Sequence, residues 1–322
     1  MGSTDLSRFA LTIGAAAALL AGCAGSQPLS ANPVQGFTLT RERAAHSGSW
    51  MAPNTSGQNL IYMGIGDTVG VYTFAGKGVG VLKGFGFEGV AGLCSDSQGD
   101  VWITYGDSLL EYAHGGTIPI AQVYTPSEPH GCSVDPTTGN LAVTEGDEQT
   151  DNNVLVYTNI YGVPQAYTDP DFFYYWYCSY DNQGNLFVNG LRGKKLPLAE
   201  LPSGGSSLGT VTVDEKLEKL GDLQWDGQYL ALSDSLAHVV YQLSVANGKA
   251  TTVTKTHFEG WSRARFKTIE SFVIYNGVIV LTFSDRQTGF WKFPAGGKSR
   301  LRIPVVAGAK TVSVAPSALT LK

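Results

Sequence analysis

An internal repeat constrains the fold of this chain more than any other feature of its sequence. Three segments superimpose, each with a short strand, a turn that carries Asp and Gly, and an alternating strand. These segments are Gly92–Thr104, Gly131–Thr144 and Tyr177–Asn189. Asp, Asn and Gly suit the turn because they tolerate a left-handed backbone or cap it with a side chain. The pattern therefore predicts a series of β-hairpins.

Weaker copies of the same unit occur before and after these three segments. They are Asn59–Met63, Leu223–Ser233 and Ile274–Thr282. The second strands of the units begin near residues 60, 101, 141, 186, 229 and 278. Spacings of roughly 40 to 50 residues leave room for the four short strands of a β-propeller blade. The first unit lacks an innermost strand, and Thr311–Ala315 near the chain end can supply it and remove a free sheet edge.

We therefore predict an all-β fold, a six-bladed β-propeller over residues 57–322. One segment departs from the all-β pattern. Asp214–Leu220 carries Glu215 and Lys219 at a helical i,i+4 spacing, which predicts a turn of helix between the fourth and fifth units.

The N-terminus has the pattern of an export signal. Arg8 precedes an apolar run from Phe9 to Leu20, and its 12 residues are too few to cross a hydrocarbon core of roughly 30 Å. The run has the length of a signal-peptide core. Leu20–Cys23 resembles the lipobox of bacterial lipoproteins, which implies a lipid on Cys23. We predict a signal peptide over residues 1–22 and a lipid-anchored flexible tether over residues 23–56, whereas an ordinary secretory signal would leave Cys23 unmodified.

Composition and charge limit the partners of the chain. Only 15% of the residues are charged and the net charge is −5, so nucleic acid is not an expected partner. The longest basic stretch is Lys298, Arg300 and Arg302, which would share one solvated face of a strand. No segment after the signal is apolar enough to cross a bilayer. We expect membrane attachment through the lipid on Cys23, on the extracytoplasmic side of a bacterial cell envelope. Ala24 rather than Asp after Cys23 favours the outer membrane or cell surface.

The repeat resembles the NHL-type six-bladed propellers in its turns. The segment Pro129–Glu145 also resembles the repeat of the virginiamycin B lyase family. These resemblances imply a fold but no chemistry by themselves. The gluconolactonase and senescence-marker propellers are similar in architecture, and they place Glu, Asn and Asp metal ligands at one mouth of the central channel.

Candidate site residues follow from this architecture, because the connections into the innermost strands and out of the second strands should emerge on one face. Residues before the innermost strands are Glu88, His130, Trp176, Asp222, Arg265 and Glu270. Residues after the second strands are Asp107, Glu145, Asp147, Asn189, Arg192, Asp234, Asp285 and Arg286. The resemblance to the lactonases matches Glu88, Asn189 and Asp234 to metal ligands, so Ca²⁺ is the cofactor this pattern would take. The alternative is that these are solvated turn residues and that no cofactor is bound.

His130 and Glu145 form a second candidate pair. A carboxylate near an imidazole can orient it for general acid–base catalysis, and the lyase family uses a His and a Glu for proton transfer. In that family these residues come from other blades, so His130 can equally be an ordinary loop residue.

The cysteines and a run of aromatic residues leave alternatives open. Cys94, Cys132 and Cys178 occupy similar places in three consecutive units, where buried packing is expected and a disulfide between neighbours is possible. The aromatic run Phe172–Tyr177 either packs between blades or lies at the channel mouth.

Two functions remain open from the sequence. The first is an envelope-anchored lipoprotein that binds a protein, glycan or small ligand at the channel face. The second is a metal-dependent hydrolase or lyase.

Overall fold

The computed structural model describes residues 48–146, 152–158, 162–259, 268–284, 287–304 and 310–317. All regular structure in this part of the chain is β-strand. The first eight strands are β1 (Trp50–Met51), β2 (Leu60–Ile65), β3 (Thr68–Thr73), β4 (Gly78–Lys83), β5 (Val90–Ser95), β6 (Val101–Tyr105), β7 (Ser108–Tyr112) and β8 (Pro119–Tyr124). The next eight are β9 (Pro129–Val134), β10 (Leu141–Glu145), β11 (Val154–Tyr157), β12 (Gln165–Tyr167), β13 (Tyr174–Tyr180), β14 (Leu186–Leu191), β15 (Leu198–Leu201) and β16 (Gly209–Val213). The last nine are β17 (Leu223–Trp225), β18 (Leu230–Asp234), β19 (Val239–Ala246), β20 (Lys249–Glu259), β21 (Ile269–Tyr275), β22 (Val278–Phe283), β23 (Gln287–Lys292), β24 (Gly296–Pro304) and β25 (Thr311–Ala315).

Antiparallel pairing divides the described strands into sets, each paired in the order given. Set 1 is β25-β2-β3-β4-β1, set 2 is β5 to β8, set 3 is β9 to β12, set 4 is β13 to β16, set 5 is β17 to β20 and set 6 is β21 to β24. The second strand of each set begins at residue 60, 101, 141, 186, 230 or 278, within one residue of the positions predicted from the repeat.

The predicted use of the C-terminal strand is confirmed. β25 pairs with β2 in antiparallel register, from Leu60 opposite Ala315 to Gly64 opposite Thr311. The innermost strand of set 1 is therefore β25, which lies near the C-terminal end of the sequence, whereas the other strands of the set lie near the N-terminal end of the described chain.

The first strand of each set, which we call the inner strand, contacts the inner strand of the next set. These contacts run β25, β5, β9, β13, β17, β21 and back to β25. Side-chain hydrogen bonds join equivalent positions of neighbours. For example, the backbone N–H of Tyr180 donates to Ser133 Oγ at 3.0 Å, and the N–H of Trp225 donates to Ser179 Oγ at 2.8 Å. Because equivalent positions meet, the inner strands all run in the same direction.

The turn chemistry inferred from the repeat is present in the structure. Asp96, Asp135 and Asp181 each accept a hydrogen bond from a backbone N–H two residues later, at 2.8 to 2.9 Å. Gly139 and Gly184 have φ of 76° and 82°, a left-handed conformation in which a Cβ would be strained. Side-chain caps and glycines thus fix the hairpins locally.

The outer edges of the sets differ around the molecule. Outer strands β16, β20 and β24 pair with one another in parallel, through Thr212 with Lys249 and Phe258 with Gly297. In set 1, the outer strand β4 is covered by β1, where Trp50 pairs with Val81. Residues 48–56 were predicted as part of the tether. In the structure, Trp50 and Met51 of this segment form β1 and pair with set 1, a two-residue strand too short to show any periodicity.

Cys94 differs from the other two cysteines by one residue in its register with the second strand, and this difference decides which cysteines pair. Cys94 lies opposite Trp102 on β6, whereas Cys132 and Cys178 lie opposite the equivalent positions Val143 and Val188, one step further along their partner strands. Successive side chains of a strand point to opposite faces. Cys94 therefore points toward set 3 and forms a disulfide with Cys132, while Cys178 is free and buried.

The helical turn predicted over Asp214–Leu220 is wrong, because this segment is irregular. Asp234 Oδ2 accepts a hydrogen bond from the Glu218 N–H at 2.6 Å. Glu215 forms an ion pair with Lys255 of β20 at 2.8 Å rather than with Lys219. Tertiary partners thus replace the local i,i+4 pair.

No helix that could span a membrane is found among the described residues. The predicted signal peptide and Cys23 lie outside these residues.

Candidate functional site

The inner strands surround a central channel of about 910 Å³, lined by residues from all of them. At one end of the channel, the loop that enters an inner strand is hydrogen-bonded to the turn that follows a second strand. The N–H of Val90 donates to Gly66 O at 2.9 Å, and the N–H of Thr125 donates to Asp107 O at 2.8 Å. The two kinds of connection therefore share one face, as predicted from the sequence. We call this end of the channel the entry mouth.

β-Bulges place side chains at the entry mouth. The register between the first two strands shifts at Ala91 in set 2, at His130 in set 3, at Trp176 in set 4 and at Glu270 in set 6. A bulged residue has no partner on the neighbouring strand, so its side chain does not follow the regular alternation between the two faces of the sheet. All four residues line the channel.

His130 is held in one orientation and one tautomer. Its Nε2 lies 2.8 Å from Gly146 O, and since a carbonyl oxygen only accepts, Nε2 carries the proton and Nδ1 is the acceptor nitrogen. The ring lies against Trp176, with 4.3 Å between ring centroids. Burial lowers the pKa of His130, and the Gly146 carbonyl and the charge of Glu128 oppose this only partly. His130 is therefore a neutral imidazole at neutral pH.

The carboxylate whose charge acts on His130 is Glu128 rather than Glu145. Glu145 is fully buried, and its Oε1 accepts a hydrogen bond from the Ser127 N–H at 3.2 Å. Glu128 is exposed and lines the channel beside His130. The catalytic pairing of His130 with Glu145 stays a prediction, and the hydrogen bonds described for the two side chains go to different backbone groups.

The three predicted metal ligands lie in different environments. Glu88 is exposed and lines the entry mouth, whereas Asn189 and Asp234 are buried and are not among the channel-lining residues. Asn189 Oδ1 accepts from the Tyr177 N–H at 3.2 Å, and its Nδ2 donates to Gly221 O at 2.8 Å. The structure therefore does not gather the three around one position in the channel, and their metal binding stays a prediction.

Asn189 has counterparts in the other sets that bind only backbone. Thr104 Oγ1 donates to His130 O at 2.7 Å, and Thr144 Oγ1 donates to Trp176 O at 2.8 Å. Like Asn189, each sits on the second strand of its set; the two Thr side chains bond the inner strand of the next set, and Asn189 bonds Gly221, just before the inner strand β17. This position joins neighbouring sets, and Asn is one of several side chains that can fill it.

Asp234 caps the loop that leads into set 5. Besides Glu218, its carboxylate accepts hydrogen bonds from the N–H groups of Lys219 at 3.3 Å, Leu236 at 3.2 Å and Ala237 at 3.1 Å. The Glu218 N–H donates to Oδ2 and the other three donate to Oδ1, so four backbone groups hold this carboxylate. Asp234 therefore explains the shape of two loops at the mouth.

Asp222 joins sets 5 and 6 at the entry mouth. Its Oδ2 accepts from Ser271 Oγ at 2.6 Å and from the Phe272 N–H at 3.1 Å, and its Oδ1 accepts from the Leu223 N–H at 2.7 Å. Burial raises the pKa of Asp222 from 3.8 to about 6, although these hydrogen bonds act in the opposite direction.

The raised pKa of Asp222 predicts a pH-dependent cost to stability. The folded state binds this proton more tightly than the unfolded state, so the contribution present below pH 4 is lost as the pH rises through 6. A shift of this size corresponds to about 3 kcal/mol. We expect the free energy of unfolding of Asp222→Asn, measured with urea, to increase relative to that of the wild type by about that amount between pH 4 and pH 7, because the variant lacks the titrating carboxyl group. Parallel pH profiles of the two proteins would contradict it.

The described residues contain one carboxylate cluster that could hold a metal ion. Asp96, Asp100 and Glu111 each offer an oxygen, and these atoms lie within 4.8 Å of one another. Burial and the charge of Asp100 raise the pKa of Asp96, although hydrogen bonds from backbone N–H groups lower it. The cluster lies in and beside the first turn of set 2, and sequence reasoning missed it because Glu111 comes from the third strand.

The aromatic run serves both of its proposed purposes. Tyr175 is 1% exposed, and its ring stacks on Phe172 with 4.6 Å between centroids. Phe173 is 55% exposed on the loop at the entry mouth, and Trp176 lies against His130. The run thus packs Tyr175 between sets 3 and 4 and leaves Phe173 exposed to solvent.

Other predicted mouth residues lie outside the described part of the chain. These are Asp147, Arg265, Asp285 and Arg286. Arg192 is described, and its guanidinium forms an ion pair with Asp171 at 3.0 Å.

No protein-family model matches the sequence, and no curated protein sequence matches it. Solved structures match the fold. The structure of a nidogen/laminin complex aligns with a TM-score of 0.64 and 14% identity, covering 80% of this chain and 99% of that chain. A protein of unknown function from Bacteroides caccae aligns with a TM-score of 0.60 and 13% identity, with the same coverage of 80% and 99%.

A third similar structure is a catalytically inactive virginiamycin B lyase from Staphylococcus aureus with quinupristin. It has a TM-score of 0.52 and 14% identity, and the alignment covers 88% of this chain and 90% of that chain. At such identities the likeness shows the fold alone. The chain is an all-β, propeller-like protein.

Proposed function

We propose that this chain is an envelope lipoprotein, anchored through a lipid on Cys23, whose propeller binds a partner or ligand at the entry mouth. In this proposal the sets of strands are six blades of a closed ring, and the channel of about 910 Å³ runs through its centre. The nidogen/laminin complex is a similar fold in a structure with a protein partner, which is consistent with this use of the fold.

The exposure of large apolar side chains at the entry mouth is the observation that carries the proposal. Phe87 is 106% exposed, and Phe173 and Leu236 are 55% and 49% exposed. All three lie on loops of the same face, in sets 2, 4 and 5. Loops that a rigid scaffold holds on one face commonly carry binding residues.

The metal-dependent alternative has less support from the geometry. Asn189 and Asp234 are engaged by backbone groups and lie away from the channel lining. Glu88 alone of the three faces the channel, and a hard cation needs about six oxygen ligands. A binding function needs only the exposed surface that the entry mouth presents.

Site-specific photo-crosslinking in the native host tests the binding proposal. A photoreactive amino acid in place of Phe87 should give a discrete covalent adduct, because that side chain projects from the proposed binding face. The matched control is the same amino acid at Gln183, an exposed turn residue at the other end of the channel. Adducts of equal yield from both positions, or none from Phe87, would contradict binding at the entry mouth.

Lipid attachment is tested by metabolic labelling with a palmitate analogue. We expect the label on the wild-type chain and its complete loss in Cys23→Ala, because the lipid is attached through that thiol. Cys178→Ala should keep the label. Equal labelling of the wild type and Cys23→Ala would exclude this anchor.

A further inference from the structure

The distribution of charge along the chain is strongly asymmetric. Between Lys83 and Arg192 the sequence contains 14 Asp and Glu residues and no Lys or Arg. From residue 192 to the end there are 17 Lys and Arg residues and 10 Asp and Glu residues. The first of these segments comprises all of sets 2 and 3, so one sector of the molecule carries only negative formal charge.

Part of this sector presents aromatic side chains at the entry mouth. Phe87 is fully exposed, Tyr124 is 39% exposed and Tyr105 is half-buried. The loop that carries Phe87 is fixed by Phe85, which is buried and packs edge-on against Tyr105 with 5.5 Å between ring centroids. Burial of a Phe side chain is worth about 1.5–3 kcal/mol, so a fixed loop that leaves Phe87 in water has apolar surface available for a partner.

Exposed carboxylates lie among these aromatic rings. Glu88 Oε2 lies 3.5 Å from the position a Cβ would take at Gly106, so it reaches the turn that carries Asp107. The charge of Asp107 raises the pKa of Tyr105, after burial and the neighbouring Tyr124, so Tyr105, Asp107 and Tyr124 lie near one another. We call Phe87, Glu88, Tyr105, Asp107 and Tyr124 the acidic–aromatic patch.

The patch has no cation of its own among the described residues. The two ion pairs in that part of the chain are Arg192 with Asp171 and Lys255 with Glu215, both elsewhere. Lys310, which comes from set 1, lines the channel. Carboxylates and aromatic faces together favour guanidinium and ammonium groups, through charge and cation–π attraction.

We propose that the acidic–aromatic patch docks a basic, arginine-containing segment of a partner protein. This inference rests on the proposed binding function of the entry mouth and specifies the chemistry of its partner. Arg side chains of the partner engage Glu88 and Asp107, and its apolar stems cover Phe87. The wholly negative sector around the patch steers the basic segment toward it, so association weakens as salt screens the field.

The test measures binding of fluorescein-labelled 16-residue peptides of alternating Arg and Ser, or Glu and Ser, to the full-length chain by fluorescence anisotropy. We expect saturable binding of the Arg peptide and no binding of the Glu peptide. The affinity for the Arg peptide should fall between about 50 and 250 mM NaCl, because the Debye length shortens and the charges are screened. The double variant Glu88→Gln, Asp107→Asn should weaken binding about tenfold, since exposed ion pairs each contribute a few-fold. Phe87→Ala should weaken it about threefold without changing the salt dependence.

The matched control is the double variant Glu218→Gln, Glu259→Gln, which removes the same charge from exposed positions outside the acidic sector. Its affinity should stay within about twofold of the wild type, a change below what one exposed pair contributes. Equal weakening by both double variants would reduce the effect to net charge and overturn the patch. Light scattering that shows association of the chain with itself would assign the surface to a second copy.

The two proposals fail in distinguishable ways. If the Arg peptide does not bind at the patch but the probe at Phe87 still gives its adduct, the entry mouth binds a partner of other chemistry. If neither is seen, both proposals are wrong.

Discussion

A chain that stops at residue 309 is expected not to fold, although it keeps 24 of the 25 described strands. β25 is the inner strand of set 1, and removing it leaves β2 with an unpaired edge. Val312, Val314 and Ala315 are buried, and Leu60 and Tyr62 of β2 would be uncovered with them. The lost burial is about 1.5–3 kcal/mol for each large side chain, and the total stability of a domain is only about 5–15 kcal/mol.

Removal of β25 is expected to cost more stability than its contacts within set 1 contribute, because β25 also contacts the neighbouring sets. Ser313 Oγ lies 2.8 Å from Ser95 Oγ of set 2, and the Val312 N–H donates to Ser271 Oγ of set 6 at 3.3 Å. β25 therefore joins set 1 to both neighbours as well as completing its sheet. Without it, sets 2 and 6 lose their inner-strand neighbour.

Near-UV circular dichroism and urea unfolding distinguish the outcomes. The truncated chain should lack a near-UV signal and a cooperative transition. A chain that stops at residue 317 keeps all of β25 and should unfold with the wild-type midpoint. A cooperative transition in the chain ending at 309, with a wild-type midpoint, would show that ring closure does not depend on β25.

The repeat made most of the architecture predictable because its signals are local. An Asp cap and a left-handed Gly specify each hairpin within about five residues, and alternation specifies the strands beside it. The place of Thr311–Ala315 followed from counting strands, since an unpaired edge is costly. Asp214–Leu220 was misread because its i,i+4 charges satisfy a local rule that contacts with Asp234 and Lys255 outweigh.

The site was less predictable because it depends on bulges. The order of the connections predicted His130, Trp176 and Glu270 at the mouth, but not the extra residue in the inner strand that turns their side chains into the channel, because no local residue type indicates a bulge. Loop position alone also cannot separate an exposed carboxylate from a capping one. Glu88 and Asp234 were matched to the same role, yet one faces the channel and the other binds backbone N–H groups.

The same one-residue sensitivity decides which cysteines pair. Aligned on the turn, Cys94 is one position later than Cys132 and Cys178, so its side chain points to the opposite face of its strand. Cys132 meets Cys94, and Cys178 instead contacts set 3 near Ala142, with Sγ 4.0 Å from Ala142 O. The sequence left open which neighbours pair, because a shift of one residue along a strand reverses the direction in which a side chain points.

Removing the Cys94–Cys132 disulfide is expected to destabilise the protein by about 2–4 kcal/mol, since the bond closes a loop of 38 residues and limits the unfolded chain. It joins the inner strands of sets 2 and 3 directly, so the loss should appear as a lower urea midpoint of the Cys94→Ala, Cys132→Ala double variant. Reductant should lower the wild-type midpoint similarly and leave the double variant unchanged. Cys178→Ala is the matched control, because it removes a buried thiol without a crosslink. If Cys178→Ala and the double variant lose equal stability, packing of the thiols rather than the crosslink accounts for the effect.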